Sequence, residues 1–151
     1  MRHPIELELH TLDDTLALAR KFAAILKPAD CLLLEGEIGA GKSAFCRALI
    51  QSKLGQLVDV PSPTFTLVQV YDAHDVEIWH CDLYRLTDPE EAFELGLDDA
   101  FETAICLIEW PDRLGSAAPK DASLLSFSAQ ETMHTVTLNL GGDLLHRFHG
   151  S

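Results

Sequence analysis

The feature that most constrains the fold is the glycine-rich segment at residues 36–43, which reads GEIGAGKS. This segment matches the pattern G-x-x-x-x-G-K-[ST] at every fixed position. The preceding run CLLLE has no polar alternation, which predicts a strand that is covered on both faces. The following stretch KSAFCRALIQSKLG predicts a helix that ends at Gly55. A phosphate-binding loop between a buried strand and a helix is therefore expected, in a layered α/β fold.

The residue types in this loop suit the binding of a nucleoside triphosphate. Glycines allow the backbone to bend so that successive N–H groups point at phosphate oxygens, and the N-terminus of the following helix adds roughly half a positive charge. Lys42 can bridge phosphate oxygens as a point charge, while the Ser43 hydroxyl suits Mg²⁺. The predicted nucleotide-contacting residues of the loop are Ile38, Gly39, Ala40, Gly41, Lys42, Ser43 and Ala44.

Length and charge limit the remaining possibilities. The chain has 151 residues, and we expect a single domain over residues 1–151. Its 24 acidic and 11 basic residues give a formal net charge of −13, which argues against independent binding of DNA or another nucleic-acid backbone. Because neither a signal-peptide pattern nor a membrane-spanning apolar run occurs, we expect a cytoplasmic protein. The four cysteines lack C-x-x-C spacing and lie in apolar contexts, which predicts buried free thiols.

Patterns elsewhere in the chain predict further strands and helices. Residues 5–9 alternate between apolar and polar types, as in a strand with one wet face. Thr11 and Asp14 resemble a capping box before a helix that Pro28 ends, and Asp88 resembles the cap of a short helix that Gly96 ends. The remaining segments predict a hairpin (TFTLVQVYD and VEIWHCD), a buried strand (AICLIEW) and a late hairpin (SLLSFSA and HTVTLNL). The sum is a P-loop NTPase-like single α/β domain with a mixed central sheet flanked by helices.

Two carboxylates are candidates for the magnesium site that a P-loop requires. Glu109 ends one aliphatic strand, and Asp82 ends the strand VEIWHCD. Ligands gather outside the carboxyl ends of parallel strands, so both side chains can reach the loop. The structural alternatives are that Asp82 caps the following turn and that Glu109 pairs with a nearby arginine.

Several motifs that are typical of other P-loop proteins are absent, and their absence argues against those classes. The guanine-reading pattern [NT]-K-x-D is absent, and neither Asp82 nor Glu109 begins a D-x-x-G switch, which argues against a GTPase. An ABC-type signature is also missing. Only six arginines occur, without the cluster expected of a lid that clamps a second phosphorylated substrate. A small-molecule kinase is therefore the second hypothesis rather than the first.

Five segments in order, GEIGAGKSAF, VPSPTFTLVQVYD, HCDLYRL, ELGLDDAF and LIEWPDRL, resemble the TsaE (YjeE) family. The resemblance spans about residues 5 to 140. It implies ATP and Mg²⁺ binding, weak hydrolysis by the isolated protein, and action in a complex with the TsaB and TsaD proteins. That complex forms the threonylcarbamoyl group on adenosine 37 of tRNAs that read codons beginning with adenine, so contact of this chain with tRNA would be indirect.

The resemblance also implies roles for particular residues. Lys42 and Ser43 take the phosphate and magnesium roles, Glu109 resembles a second magnesium ligand, and Asp82 resembles a residue needed for hydrolysis, through the attacking water. Thr11 resembles a position beside the base, which is compatible with a capping role. The loop at residues 62–65 resembles a nucleotide-sensing switch, or is a proline-stiffened connection.

Two further positions stay open. Trp110 either lines the site or packs in the core, and His134 lies near the place where the family often has an arginine.

A third functional hypothesis, besides the ATPase and the kinase, is an ATP-dependent scaffold in which hydrolysis is incidental.

Overall fold

The structure is a computed structural model, and it describes residues 3–37, 39–63 and 66–150. Seven strands form one sheet in the order β1-β7-β6-β2-β5-β4-β3. The strands are β1 (Ile5–Leu9), β2 (Cys31–Gly36), β3 (Val68–Ala73), β4 (Val76–Asp82), β5 (Ile105–Glu109), β6 (Ser123–Ala129) and β7 (His134–Asn139). The four central strands β6, β2, β5 and β4 are parallel, while β1, β7 and β3 pair antiparallel at the edges. The predicted mixed sheet is therefore confirmed.

The helices cover the two faces of this sheet. They are α1 (Leu12–Ile25), α2 (Lys42–Leu54), α3 (Glu90–Glu94), α4 (Leu97–Thr103) and α5 (Gly142–Gly150), together with a 3₁₀ segment at Pro111–Ala117. One apolar core lies under α1, α2 and α5, where Phe22 meets Phe45 and Phe148 at ring-centroid distances of 5.8 and 5.5 Å. A second core lies under α3, α4 and the 3₁₀ segment.

Strand β5 shows why the central strands lack polar alternation. Ile105 and Leu107 pack into the first core, whereas Cys106 and Ile108 pack into the second. Successive side chains of a strand point to opposite faces, so a strand with a core on each side must be apolar throughout. This burial fixes the strand that carries Glu109 at its end, and with it the position of one candidate site residue.

Several local predictions are confirmed. Thr11 Oγ1 accepts a hydrogen bond from the Asp14 N–H at 3.2 Å, and Asp14 Oδ2 accepts from the Thr11 N–H at 3.2 Å, which completes the capping box of α1. Gly55 follows α2 in a left-handed conformation. The predicted cap of α3 is shifted by one residue: Asp88 Oδ1 accepts from the Glu90 N–H, but α3 begins at Glu90, so Pro89 rather than Asp88 holds the cap position. All four cysteines are buried and free.

Three elements were not predicted: α4, the 3₁₀ segment and α5. Each is short, from seven to nine residues, and its residues are held by the core beneath rather than by a long periodic pattern. Within the described ranges, none of the helices has both the length and the apolar character that crossing a membrane requires.

Candidate nucleotide-binding site

A cavity of about 990 Å³ lies at the carboxyl edge of the parallel strands. Six segments line it: the start of α1, the loop before α2 with the first turns of that helix, Ser62, the end of β4, the end of β5, and the turn between β6 and β7. A nucleotide-sized cleft outside the carboxyl ends of parallel strands is the expected position for a ligand in an open α/β sheet. Asp82 and Glu109, which were predicted to reach the loop, both line this cavity together with Lys42.

The loop takes the shape that its glycines allow. Gly36 has a φ of 138°, and a Cβ atom there would lie 2.3 Å from the Phe127 carbonyl oxygen on β6, so a side chain cannot fit. Gly41 precedes α2 with a φ of 111°, and no side chain caps the helix. The first N–H groups of α2 are consequently available to an anion in the cavity. Of the predicted loop residues, Gly39, Gly41, Lys42, Ser43 and Ala44 line the cavity, Ala40 is buried, and Ile38 lies outside the described residues.

Lys42 is buried at 6% exposure, and its Nζ lies 4.7 Å from the centroid of the Trp110 ring. Trp110 follows β5 with a left-handed backbone conformation, φ 59° and ψ 55°, and its ring packs against the Tyr84 ring in a tilted arrangement, with centroids 4.9 Å apart. The aromatic face stabilises the cation by a cation–π contact. Trp110 therefore lines the cavity and also packs, partly buried, against the second core.

Asp82 and Glu109 are register partners at the ends of β4 and β5. Both are buried, at 6% and 5% exposure, and both line the cavity. Asp82 Oδ1 accepts a hydrogen bond from the Tyr84 N–H at 3.0 Å, so the predicted capping role is present and coexists with a position in the cavity. Glu109 Oε2 pairs with His80 Nε2 at 2.8 Å, rather than with the arginine that the structural alternative required.

Other predicted positions also reach the cavity. Thr11, the capping residue of α1, lines it, so its two suggested roles are compatible. His134 lines the cavity from β7, and its Nδ1 would lie 3.5 Å from a Cβ built on Gly41. Ser62 lines the cavity from the suggested switch loop, whereas Thr64 and Phe65 lie outside the described residues.

His80, Tyr84 and Cys46 are part of this environment and were not singled out from the sequence. His80 and Asp82 are two residues apart on β4 and thus share a face, a signal that was present in HCD. Cys46 lies on α2 one turn after Lys42. Burial raises the pKa of the Cys46 thiol well above its usual value, the nearby Glu109 carboxylate raises it further, and Lys42 opposes both. The Cys46 thiol is therefore protonated at neutral pH.

The fold and the site together place the chain among the P-loop nucleotide-binding proteins. The family described as threonylcarbamoyl adenosine biosynthesis protein TsaE matches residues 9–137 by its sequence profile. The chain belongs to the TsaE family.

Individual relatives agree with this assignment. The tRNA threonylcarbamoyladenosine biosynthesis protein TsaE of Rickettsia bellii is 43% identical over 111 residues, which cover 74% of this chain and 77% of that protein. The protein of the same name from Haemophilus influenzae is 36% identical over 88% of this chain and 90% of its own length. The crystal structure of Bacillus subtilis YdiB superimposes with a TM-score of 0.82 at 27% identity, covering 99% of this chain and 97% of that one.

Proposed function

We propose that the chain binds ATP with Mg²⁺ in the carboxyl-edge cavity, hydrolyses it slowly alone, and does so faster in a complex that forms threonylcarbamoyladenosine on tRNA. The partners in that proposal are the TsaB and TsaD proteins, and contact with tRNA is indirect. The observation that carries it is the juxtaposition of Asp82 and Glu109 as register partners beside the phosphate-binding loop. The names of the relatives supply the biological setting.

The donor set fits a magnesium ion. Ser43 offers a hydroxyl oxygen and Glu109 a carboxylate oxygen, and Mg²⁺ takes oxygen ligands. The ion would neutralise charge that develops on the phosphates. His80 holds Glu109 through Oε2, which leaves Oε1 as the oxygen that we assign to the metal. A carboxylate fixed in this way loses little further freedom on binding.

The other residues of the cavity act on the nucleotide and on water. Lys42 and the first N–H groups of α2 bind the phosphates. Asp82, whose Oδ1 is held by the Tyr84 N–H, orients the attacking water. Thr11, at the start of α1, and His134, on β7, both line the cavity, and we assign them to contacts with the base. They lie on the same side of the sheet edge, because Leu9 of β1 pairs with His134.

The arginine content of the cavity favours hydrolysis over transfer to a second phosphorylated substrate. Arg47 is the arginine among the described lining residues, and a small-molecule kinase needs several cations that converge on its acceptor. Transfer to water requires no such cluster.

The proposal is tested by ATP turnover of the chain alone, with TsaB and TsaD, and with tRNA added. We expect slow turnover alone and a clear increase with the partners. The Lys42→Ala variant in the same mixture controls for hydrolysis by the partners themselves. A turnover that partners leave unchanged would contradict the proposed role, and phosphate transfer to a small acceptor would favour the kinase.

A further inference from the structure

Three side chains with different ligand chemistry converge beneath the cavity. Cys46 comes from α2, His80 from β4 and Glu109 from β5, and one ligand atom of each lies within 4.8 Å of the other two. All three are buried, at 0%, 3% and 5% exposure. A thiol, an imidazole and a carboxylate from three separate elements therefore share one small volume.

This donor set differs from the one that Mg²⁺ uses. Mg²⁺ takes oxygen ligands, whereas sulfur and nitrogen donors favour Zn²⁺ and other thiophilic divalent cations. Zinc bonds of roughly 2.0 Å to nitrogen or oxygen and 2.3 Å to sulfur place tetrahedral ligands about 3.3–3.6 Å apart. Metal binding would shorten the widest separation in the cluster by about 1.2–1.5 Å, and the 2.8 Å contact between His80 Nε2 and Glu109 Oε2 would open slightly.

One buried polar atom of the cluster lacks a hydrogen-bond partner among the described residues. His80 Nδ1 is buried and has no hydrogen-bond partner among the described residues, although Nε2 pairs with Glu109. A divalent cation bound to one thiolate and one carboxylate forms a group with no net charge, which reduces the cost of burial. A Zn²⁺ ion therefore offsets the cost of burying the ionised thiol and carboxylate together in this small volume.

The cluster also has an entry path. Glu109 lines the open nucleotide cavity, so a cation can reach the carboxylate first and then bind the two deeper ligands. Three protein ligands leave one tetrahedral position for water, on the side of the cavity.

We propose that Cys46, His80 and Glu109 form a binding site for Zn²⁺ or a similar thiophilic divalent cation, separate in chemistry from the magnesium position. Zinc bound there engages Glu109 and so weakens magnesium-dependent nucleotide binding. This second statement rests on the proposed function, whereas binding of zinc to the nucleotide-free chain does not.

The test is zinc affinity of the nucleotide-free full chain, measured by competition with a chromophoric chelator. We expect Cys46→Ser to lower the affinity by about 100-fold or more, because even the loss of a group that only supports a ligand typically costs about 10–100-fold. Cys106→Ser is the matched control, since Cys106 is equally buried but lies outside the cluster. Equal zinc affinity in wild type and Cys46→Ser would overturn the site.

Cobalt substitution keeps the test decisive even where Cys46→Ser fails to fold. The folded wild-type chain with one equivalent of Co²⁺ should show a thiolate-to-cobalt charge-transfer band, and Cys106→Ser should keep it. A cobalt spectrum without that band overturns the proposal. Nucleotide affinity is then measured in Mg²⁺ with and without one equivalent of zinc. An unchanged affinity overturns the competition between the metals, while the zinc site is judged by the chelator and cobalt results alone.

Discussion

The two ends of the parallel strands hold their charged residues in different ways. At the carboxyl edge, Lys42, Asp82 and Glu109 are buried around a cavity of about 990 Å³. At the amino edge, Asp30 lines a cavity of about 300 Å³, and Arg147 donates two hydrogen bonds to its carboxylate at 2.8 and 3.0 Å. Arg147 also donates to the Ile25 carbonyl at the end of α1.

This difference indicates that the charged residues at the amino edge stabilise the fold, whereas those at the carboxyl edge bind a ligand. At the amino edge a planar guanidinium satisfies a carboxylate with two parallel hydrogen bonds and ties α5 to the segment after α1, so its charges serve the fold. At the carboxyl edge the cation and the carboxylates face a cavity large enough for a nucleotide. Charges buried around such a cavity gain most when a ligand of complementary charge is bound.

The largest expected effect is the loss of nucleotide binding in Lys42→Ala. The variant removes the point charge for the phosphates, and since Lys42 contributes a polar end rather than core packing, the fold should persist. Nucleotide affinity and far-UV circular dichroism would be measured together. If Lys42→Ala bound the nucleotide as tightly as wild type, the phosphate-binding role assigned to the loop would be wrong.

The two carboxylates should separate by role. Asp82→Ala should lower kcat by on the order of 10²–10⁴ with affinity largely retained, because a group that acts on water contributes mainly in the transition state. Glu109→Ala should instead weaken Mg²⁺-dependent ATP binding. Single-turnover hydrolysis in the complex and Mg²⁺-titrated binding would measure both. The reverse pattern would exchange the two roles, and an effect in neither variant would make both carboxylates structural.

At the opposite edge, Arg147→Met should lower the free energy of unfolding by about 2 kcal/mol, since it removes hydrogen bonds to a charged partner. Nucleotide affinity should not change, because the Asp30–Arg147 pair lies away from the nucleotide cavity. Urea denaturation and nucleotide titration of the same preparation would check this. If Arg147→Met lowered nucleotide affinity but left the free energy of unfolding unchanged, the amino-edge pair would serve binding rather than the fold.

The smallest effect concerns a thiol near the amino edge. Burial raises the pKa of Cys106 to about 12, from an ordinary value of 9.0. A folded-state pKa above the unfolded one gives stability that is fully present below pH 9 and is lost as the pH rises toward 12. Between pH 8 and 10, ionisation of the Cys106 thiol in the unfolded state should therefore lower the free energy of unfolding by about 1.4 kcal/mol.

The Cys106→Ser variant should show a smaller decrease in unfolding free energy over this pH interval, by that amount. Denaturant titrations at pH 8 and pH 10 would measure the difference. An equal decrease in both proteins would exclude ionisation of this thiol as a cause.

More of the carboxyl-edge site than of the remaining fold could be predicted from the sequence. The loop pattern and two strand ends placed Lys42, Asp82 and Glu109 together, because parallel strands end at one edge. The pairing of His80 with Glu109 depends on the register of β4 against β5, which no local pattern encodes. Helix α5 was missed because its nine residues are held by Phe148 in the first core and by Arg147 at Asp30, contacts distant in sequence.

The most direct test is calorimetric titration of the wild-type chain with ATP, with and without Mg²⁺, followed by competition with GTP. We predict binding at one site that Mg²⁺ strengthens and for which GTP competes poorly, since the sequence lacks a guanine-reading motif. Absence of ATP binding, or binding that Mg²⁺ leaves unchanged, would contradict the assignment of the carboxyl-edge cavity as a magnesium–nucleotide site.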